Sequence, residues 1–499
     1  MDYKARANDL LKRDFKMLIG GRLVGAQAGE TYDSFSPADG RFLSHVPFAQ
    51  QADVESAVEA AKQAFVTWRQ TPLTERIRCV RAFSALLDEH KEDLGILDAI
   101  DSGNPVTAMI GDVGLARGWL DYQASVAMEV KGQTLPSMGK NWLLTRREPY
   151  GVVGRIVAYN HTTLFTAGKI AAPILMGNTL ILKAPDQDPL AALLIAELAS
   201  EIFPAGVVNI LTGNGAITGD ALVRHPEVKR LALIGSVETG QRIQASAAQA
   251  GVKHVSLELG GKNPIVIFPD ADLDKVVEGM AVGMNCHWSQ GQSCGSTTRA
   301  FLHESIHDEV LEKLQERLGR IRIGHPLDPA TEMGCLVSEA QFKKVMHYID
   351  LGKEEGAKLV AGGTKPEGAE FEKGFFVKPT IFDNVSMNMK IAQEEIFGPV
   401  LSVLKWNNVE DVIQQANDVK YGLTASVWTR DLNTALHMAE RLEAGYVWIN
   451  GSGAHFLGAP FSGHKQSGTD SEEGIDELYS YTELKTVSLG KSDELEFSG

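Results

Sequence analysis

Residues 179–199 read TLILKAPDQDPLAALLIAELA. The first five residues are mostly apolar and lead into Ala-Pro-Asp, which turns the chain. That is the pattern of a short buried strand closed by a turn. Beyond the turn the period changes. Asp188 and Pro189 suit the N-cap and the first helical position, and Leu190, Leu193, Leu194 and Leu198 then share one helical face. The stretch predicts strand, turn, helix.

The same rhythm continues on both sides. VVGRIVAY (152–159), VVNIL (207–211), RLALI (230–234) and HVSLEL (254–259) read as further buried strands. Right-handed crossovers would assemble such a β-α-β-α-β run into an open parallel sheet. Sheets of this kind bind ligands at the carboxyl ends of their strands. Upstream, Val54, Val58, Ala61, Phe65 and Trp68 form a helical stripe that starts after Asp53. From 260 onward a second series begins with PIVIF (264–268) and a helical segment over 273–290. No long linker, repeat or low-complexity run interrupts the chain. The final KSDELEFSG (491–499) is polar and is expected to fray.

Composition narrows the function classes. The chain has 499 residues, which at roughly 100–200 residues per domain means two to four domains. Its net charge of −16 argues against a nucleic-acid or anionic-membrane surface, since both need a basic patch. Four cysteines (Cys79, Cys286, Cys294, Cys335) are too few for a disulfide framework and suit a reducing compartment. The charged N-terminus lacks a signal-peptide core, and the most apolar runs are broken by Pro, Gly and Asn. A cytoplasmic protein is expected, with no membrane and no nucleic-acid partner.

Several residues then stand out, each beside a plainer explanation. Cys294 lies in SQGQSCGSTTR (289–299), among small polar residues that give access to a sulfur. A reactive thiol needs such access, whereas an inert one prefers an apolar core. The other three cysteines read as structural. Cys286 and His287 with Cys294 match no common zinc spacing, so no metal is expected. Glu258 ends an apolar strand before two glycines, where it is either a general base or a solvated acid. Asn160 follows GRIVAY and either donates to developing negative charge or simply turns the chain. Gly235 and Ser236 open a strand-to-helix turn suited to a phosphate, and TGNG (212–215) does so less clearly. Neither turn is G-x-G-x-x-G. Lys183 and Asp186 could hold ribose hydroxyls or be solvated.

Taken in order, these motifs resemble the aldehyde dehydrogenase superfamily over nearly the whole chain. LELGGKNP carries Glu258, and GQSCGSTTR follows with Cys294. LKAPDQDP, GSVETG and EEIFGPV (394–400) resemble the adenosine-ribose, pyrophosphate and nicotinamide-ribose segments. YVWIN (446–450) and PFSGHKQSG (460–468) resemble the C-terminal signature. The resemblance implies NAD(P)-dependent oxidation of an aldehyde to a carboxylic acid through a cysteine thiohemiacetal and thioester. Cys294 would be the nucleophile, Asn160 the oxyanion donor and Glu258 the activator of water, with Lys169 and Glu472 carrying the proton outward. The implied cofactor contacts are Ile156, Val157, Ala158, Tyr159, Lys183, Asp186, Gly215, Gly235, Ser236, Leu259, Glu395 and Phe397.

The resemblance also implies an α/β fold in three parts. These are a Rossmann-like open parallel-sheet cofactor domain (1–129 and 152–260), a second α/β catalytic domain (261–470) and a small β oligomerisation arm (130–151 and 471–499). Dimers or dimer-based tetramers are usual for such an arm.

Departures from the family pattern bear on the substrate. His161 and Thr162 follow Asn160, where relatives have an aromatic residue and a proline. Gly168 stands where a tryptophan is common, which would widen the substrate tunnel. Phe165, Trp288, His455 and Phe456 would line it with His161, which suits a bulky or aromatic aldehyde. Asp186 replaces the usual Glu; its charge would repel a 2′-phosphate, so NAD is favoured over NADP. The rival readings are a CoA-acylating relative, which commonly lacks the deacylating glutamate, a cofactor-free cysteine hydrolase, and a non-catalytic nucleotide binder of the same fold.

Overall fold

The computed structural model describes residues 2–136 and 141–490. Residues 137–140 of the predicted arm and the polar tail 491–499 lie outside the described residues. The five predicted strands form one parallel sheet, with partners on both edges. Its order is 22–24, 17–19, 208–211, 179–183, 152–156, 228–234, 254–258, 468–469. Taken alone, the five parallel strands run third, second, first, fourth, fifth in chain order. Chain direction across the sheet therefore reverses between 152–156 and 228–234. A doubly wound sheet opens a crevice at that switch point, outside the carboxyl ends of the two strands. The antiparallel 17–19 and 468–469 strands close the two edges.

Burial explains why these segments pair. Leu180, Ile181 and Leu182 are fully buried, as a strand covered on both faces must be. Helix Leu190–Ile202 packs its leucines on the same core. Its start differs from expectation. Asp188 does not cap it; Pro189 holds that position, and the free Leu190 N–H donates to Asp101 at 2.9 Å. Asp188 instead accepts from the Thr162 hydroxyl at 2.7 Å. The helix expected after Asp53 begins earlier, at Gln51, because Asp53 sits inside its first turn in a capping box with Gln50. The strand expected over 152–159 stops at Ile156, and Tyr159–His161 form a short 3-10 turn.

A second sheet runs 358–361, 380–383, 400–406, 297–303, 263–267, 424–428, 446–449, parallel except at its 358–361 edge. The helix expected over 273–290 is broken. It spans Leu273–Gly283, then Asn285 takes a left-handed φ of 54° and a short turn Cys286–Ser289 follows. This break lets the chain re-enter the site before Cys294. A third sheet pairs 142–149 with 482–489 and 134–135. No helix among the described residues is long and apolar enough to cross a membrane.

The C-terminal segment is fastened beneath the first sheet by buried charge. Arg155, on the switch-point strand, reaches Glu472 at 2.5 Å and Glu477 at 3.5 Å, and donates to the Tyr481 hydroxyl at 2.8 Å. Lys169 meets the same two carboxylates at 2.9 and 3.4 Å. Removing one partner of a buried ion network strands the others without solvent. Arg155→Met is therefore expected to cost about 3–5 kcal/mol, seen as a lower thermal unfolding midpoint. An unchanged midpoint would show that the network does not fasten this segment.

Candidate active site

The crevice at the switch point is lined by residues of the first sheet and its following turns, and by loops and a helix from the second half of the chain. Ala158, Tyr159, Gly235, Ser236, Glu395 and Phe397 enclose a cavity of about 190 Å³. A second cavity, of about 180 Å³, lies beside it and is largely apolar, with Trp119, Phe165, Trp288, Leu457 and Phe461 among its walls. Asn160, Ile234, Glu258 and Cys294 border both. The chain thus brings together the three residues singled out for chemistry, and sets them where two cavities meet.

Each arrives by a different local device. Glu258 is the last residue of its strand. Asn160 sits in the 3-10 turn after 152–156, with its backbone carbonyl accepting from Asn104 Nδ2 at 3.0 Å. Cys294 rides on a loop that begins with two left-handed residues, Gln290 at φ 54° and Gly291 at φ 74°. A Cβ on Gly291 would come within 2.4 Å of the Gly398 carbonyl, so a side chain there is doubly disfavoured. Asn263 Nδ2 then holds the Cys294 and Ser296 carbonyls at 2.7 and 2.8 Å. Asn104 ties the two halves together, since its Oδ1 accepts from Gln290 Nε2 at 2.7 Å. Sequence reading missed Asn104, because an Asn before Pro reads only as a turn.

The electrostatics follow from burial. Glu258 is 6 % exposed and, among the described residues, its Oε1 has no hydrogen-bond partner. Burial pushes its carboxyl up to about 8, and the nearby Glu472 and Glu473 charges add to the rise against the lowering contact of the Cys294 thiol. Burial likewise raises the Cys294 thiol well above its ordinary value, with the Glu258 charge next in effect. Among the described residues, neither the Asn160 side-chain amide nor the Cys294 N–H donates to a protein acceptor, and neither Asn160 side-chain atom is sealed from the cavities. Both donors are free to meet negative charge on a ligand at the sulfur. Glu472 differs. Burial would raise it, but Arg155 and Lys169 hold it down to about 2.

Of the predicted cofactor residues, Ile156 and Lys183 end strands, and Glu395 and Phe397 lie in the loop before 400–406. Lys183 ends its strand almost fully buried, 3.8 Å from the half-exposed Asp186. Ser236 caps helix Val237–Ala250, accepting from the Thr239 N–H at 3.2 Å. Glu395 accepts from the Gly261 N–H at 2.9 Å, and a Cβ on Gly260 would meet its carboxylate at 2.2 Å. The two glycines of LELGGKNP therefore leave the room that this carboxylate occupies. Phe397 takes φ 59° and meets Tyr159 edge-on with ring centroids 5.9 Å apart. Ile156 is half-buried at its strand end, and Val157 and Leu259 are buried, Leu259 facing Gly240. Gly215 is exposed at the start of the turn 215–219.

The expected substrate wall needs two corrections. Gly168 does not widen the pocket, because a Cβ there would meet the Trp119 ring at 2.7 Å; Trp119 fills the space from helix Val106–Val126. Phe456 is 63 % exposed and does not line the cavity; its neighbours His455 and Leu457 do. His161, Phe165 and Trp288 border this cavity. Asp112 was not foreseen. It is buried in the middle of a helix, and accepts from His161 Nδ1 at 2.9 Å and Trp288 Nε1 at 2.6 Å.

Comparison with known proteins agrees with this geometry. The model of the aldehyde dehydrogenase family matches residues 24–487. The chain is 46 % identical to aldehyde dehydrogenase tropH of Talaromyces stipitatus, over 92 % of this chain and 90 % of that one. It is 40 % identical to an aldehyde dehydrogenase of Enchytraeus buchholzi, over 96 % of both. The NAD+ complex of aldehyde dehydrogenase from Bacillus cereus superposes with a TM-score of 0.94 at 38 % identity, covering 98 % of this chain and 99 % of that one. The P. syringae AldA indole-3-acetaldehyde dehydrogenase, in complex with NAD+ and IAA, gives 0.95 at 37 % identity, covering 98 % and 99 %. The chain belongs to the aldehyde dehydrogenase family.

Proposed function

We propose that this protein oxidises a bulky or aromatic aldehyde to its carboxylic acid with NAD as acceptor, through covalent chemistry at Cys294. The observation that carries the reading is the position of Cys294, Glu258 and Asn160 at the junction of the two cavities. One cavity suits the aldehyde and the other the cofactor. Lys183 and Asp186 would take ribose hydroxyls. The backbone at Gly235 and Ser236, ahead of a 14-residue helix, would take the pyrophosphate. Glu395 and Phe397 would place the nicotinamide ribose. NAD bound there supplies the acceptor for hydride. Two relatives of similar fold carry NAD+, and the Asp186 charge favours it over NADP.

In this reading the ionised form of Glu258 takes the Cys294 proton as the sulfur bonds to the aldehyde carbon. The oxyanion accepts from the Asn160 amide and the Cys294 N–H. Once hydride has left that carbon, a thioester remains on sulfur. Glu258, deprotonated again, takes a proton from water as the water attacks the thioester and the carbon–sulfur bond breaks. Lys169 and Glu472 line the way out for the proton. Arg155 and Lys169 hold Glu472 well below the usual carboxylate range. We assign residues 1–129 and 152–260 to cofactor binding, 261–470 to catalysis, and the paired 142–149 and 482–489 strands to self-association as a dimer or tetramer.

Reduction of NAD and NADP against aliphatic and aromatic aldehydes, with and without CoA, tests the reading. CoA-independent turnover with NAD is expected, and Cys294→Ala should abolish it while NAD still binds. Glu258→Gln should give one burst of reduced cofactor and a steady-state rate lower by about 10²-fold or more. A normal steady-state rate would remove Glu258 from water activation. A base works only when ionised, so kcat should rise with pH through about 8, and that limb should vanish in Glu258→Gln. Asp186→Ser should raise kcat/KM with NADP relative to NAD by about tenfold, the effect of removing ~1.4 kcal/mol of repulsion.

A further inference from the structure

We infer that His161, held by Asp112, makes the substrate pocket selective for aromatic aldehydes that carry a hydroxyl group on the ring. The inference rests on the aldehyde-oxidation reading and adds the substrate class.

The argument starts with Asp112. It is fully buried, and its two oxygens are both engaged, one by His161 Nδ1 at 2.9 Å and one by Trp288 Nε1 at 2.6 Å. The indole can only donate, and a carboxylate accepting from both rings puts the imidazole proton on Nδ1. That leaves Nε2 of His161 as a lone-pair acceptor. Among the described residues Nε2 has no protein partner, and it is not sealed from the cavity that the ring lines. Asp112 thus acts as a positioning residue for both rings. It locks the tautomer of His161 and the plane of Trp288, whose ring centroids lie 4.4 Å apart.

The complement of a fixed acceptor is a donor. A hydroxyl supplies one, whereas a substrate carboxylate or ketone would face the imidazole lone pair with the Asp112 charge behind it. A phenol donates its hydroxyl proton to Nε2. A quaternary ammonium group has no proton to share. The ring requirement comes from the other walls. Phe165 lies edge-on to His161 at 5.9 Å, and Trp119, Trp288 and Phe461 add flat ring surface. On the same cavity His455 repeats the motif, with Nδ1 3.0 Å from the buried Glu473, so a second ring hydroxyl would also find an acceptor.

The test compares kcat/KM for benzaldehyde, para- and meta-hydroxybenzaldehyde and cyclohexanecarbaldehyde in the wild type and in His161→Phe, His161→Gln and Asp112→Asn. The wild type should prefer the better hydroxybenzaldehyde over benzaldehyde by about tenfold, the worth of one buried hydrogen bond. His161→Phe and Asp112→Asn should bring that ratio close to one, and His161→Gln should recover part of it. A role in packing alone would lower all substrates together and leave the ratio unchanged, which would overturn the inference. Calorimetric binding of para-hydroxyacetophenone against acetophenone to the NAD-loaded wild type asks the same question without variants or turnover. Tighter binding of the hydroxylated ketone is expected, and equal affinities would overturn the inference. Oxidation of benzaldehyde with no hydroxyl preference would sink this inference alone. Failure to oxidise any aldehyde would sink the reading beneath it, and the binding comparison would still decide the pocket's preference.

Discussion

Two cations and two carboxylates, three of them buried and Glu472 largely so, organise much of this molecule. Arg155 and Lys169 come from the region around the switch-point crevice, while Glu472 and Glu477 come from near the C-terminus. None of the four is tolerable in that place alone, because a lone buried charge costs several kcal/mol. Together they balance. The cluster forces the last folded segment to lie against the first sheet, and the adjacent Glu473 and the segment from His455 to Phe461 complete one wall of the substrate cavity. An interaction distant in sequence thus decides the shape of the pocket.

The same cluster sets the electrical surroundings of the reacting groups. Glu472 stays ionised, and with Glu473 it adds to the burial that holds Glu258 neutral near pH 7. Glu258 is buried and Cys294 half-buried against it, and the charge of Glu258 raises the thiol, so the two do not readily ionise together. A carboxyl tuned to about 8 is well matched to proton transfer close to neutral pH. Asn104, joined to the Asn160 carbonyl and to Gln290, keeps the oxyanion donor and the sulfur loop in one rigid frame.

Local pattern made the first sheet legible. The 179–183 and 230–234 strands were readable because buried parallel strands are largely continuous apolar runs, and the motif residues Glu258 and Asn160 fall at or just after the ends of such strands, while Cys294 lies on a loop of small polar residues. What escaped was whatever depends on a neighbour far away in sequence. Asp188 looked like a cap, but Asp101 from another helix does that work. Gly168 looked like spare room, but Trp119 fills it. Asp112 gave no signal, since one acid within an ordinary helix reads as a solvated face. The helix break at Asn285 was equally silent, because a left-handed Asn is dictated by the loop it must feed. Residues 491–499, expected to fray, lie outside the described structure.

The central claim is that burial raises the Glu258 carboxyl to about 8, so that it gives up and retakes a proton beside Cys294 close to neutral pH. Infrared difference spectroscopy of the protein against Glu258→Gln, across a pH titration, measures this directly. The account predicts a protonated-carboxyl carbonyl band that belongs to Glu258, present at neutral pH and lost with a midpoint near 8. A Glu258 carboxylate already ionised at pH values near those of an ordinary glutamate would contradict it.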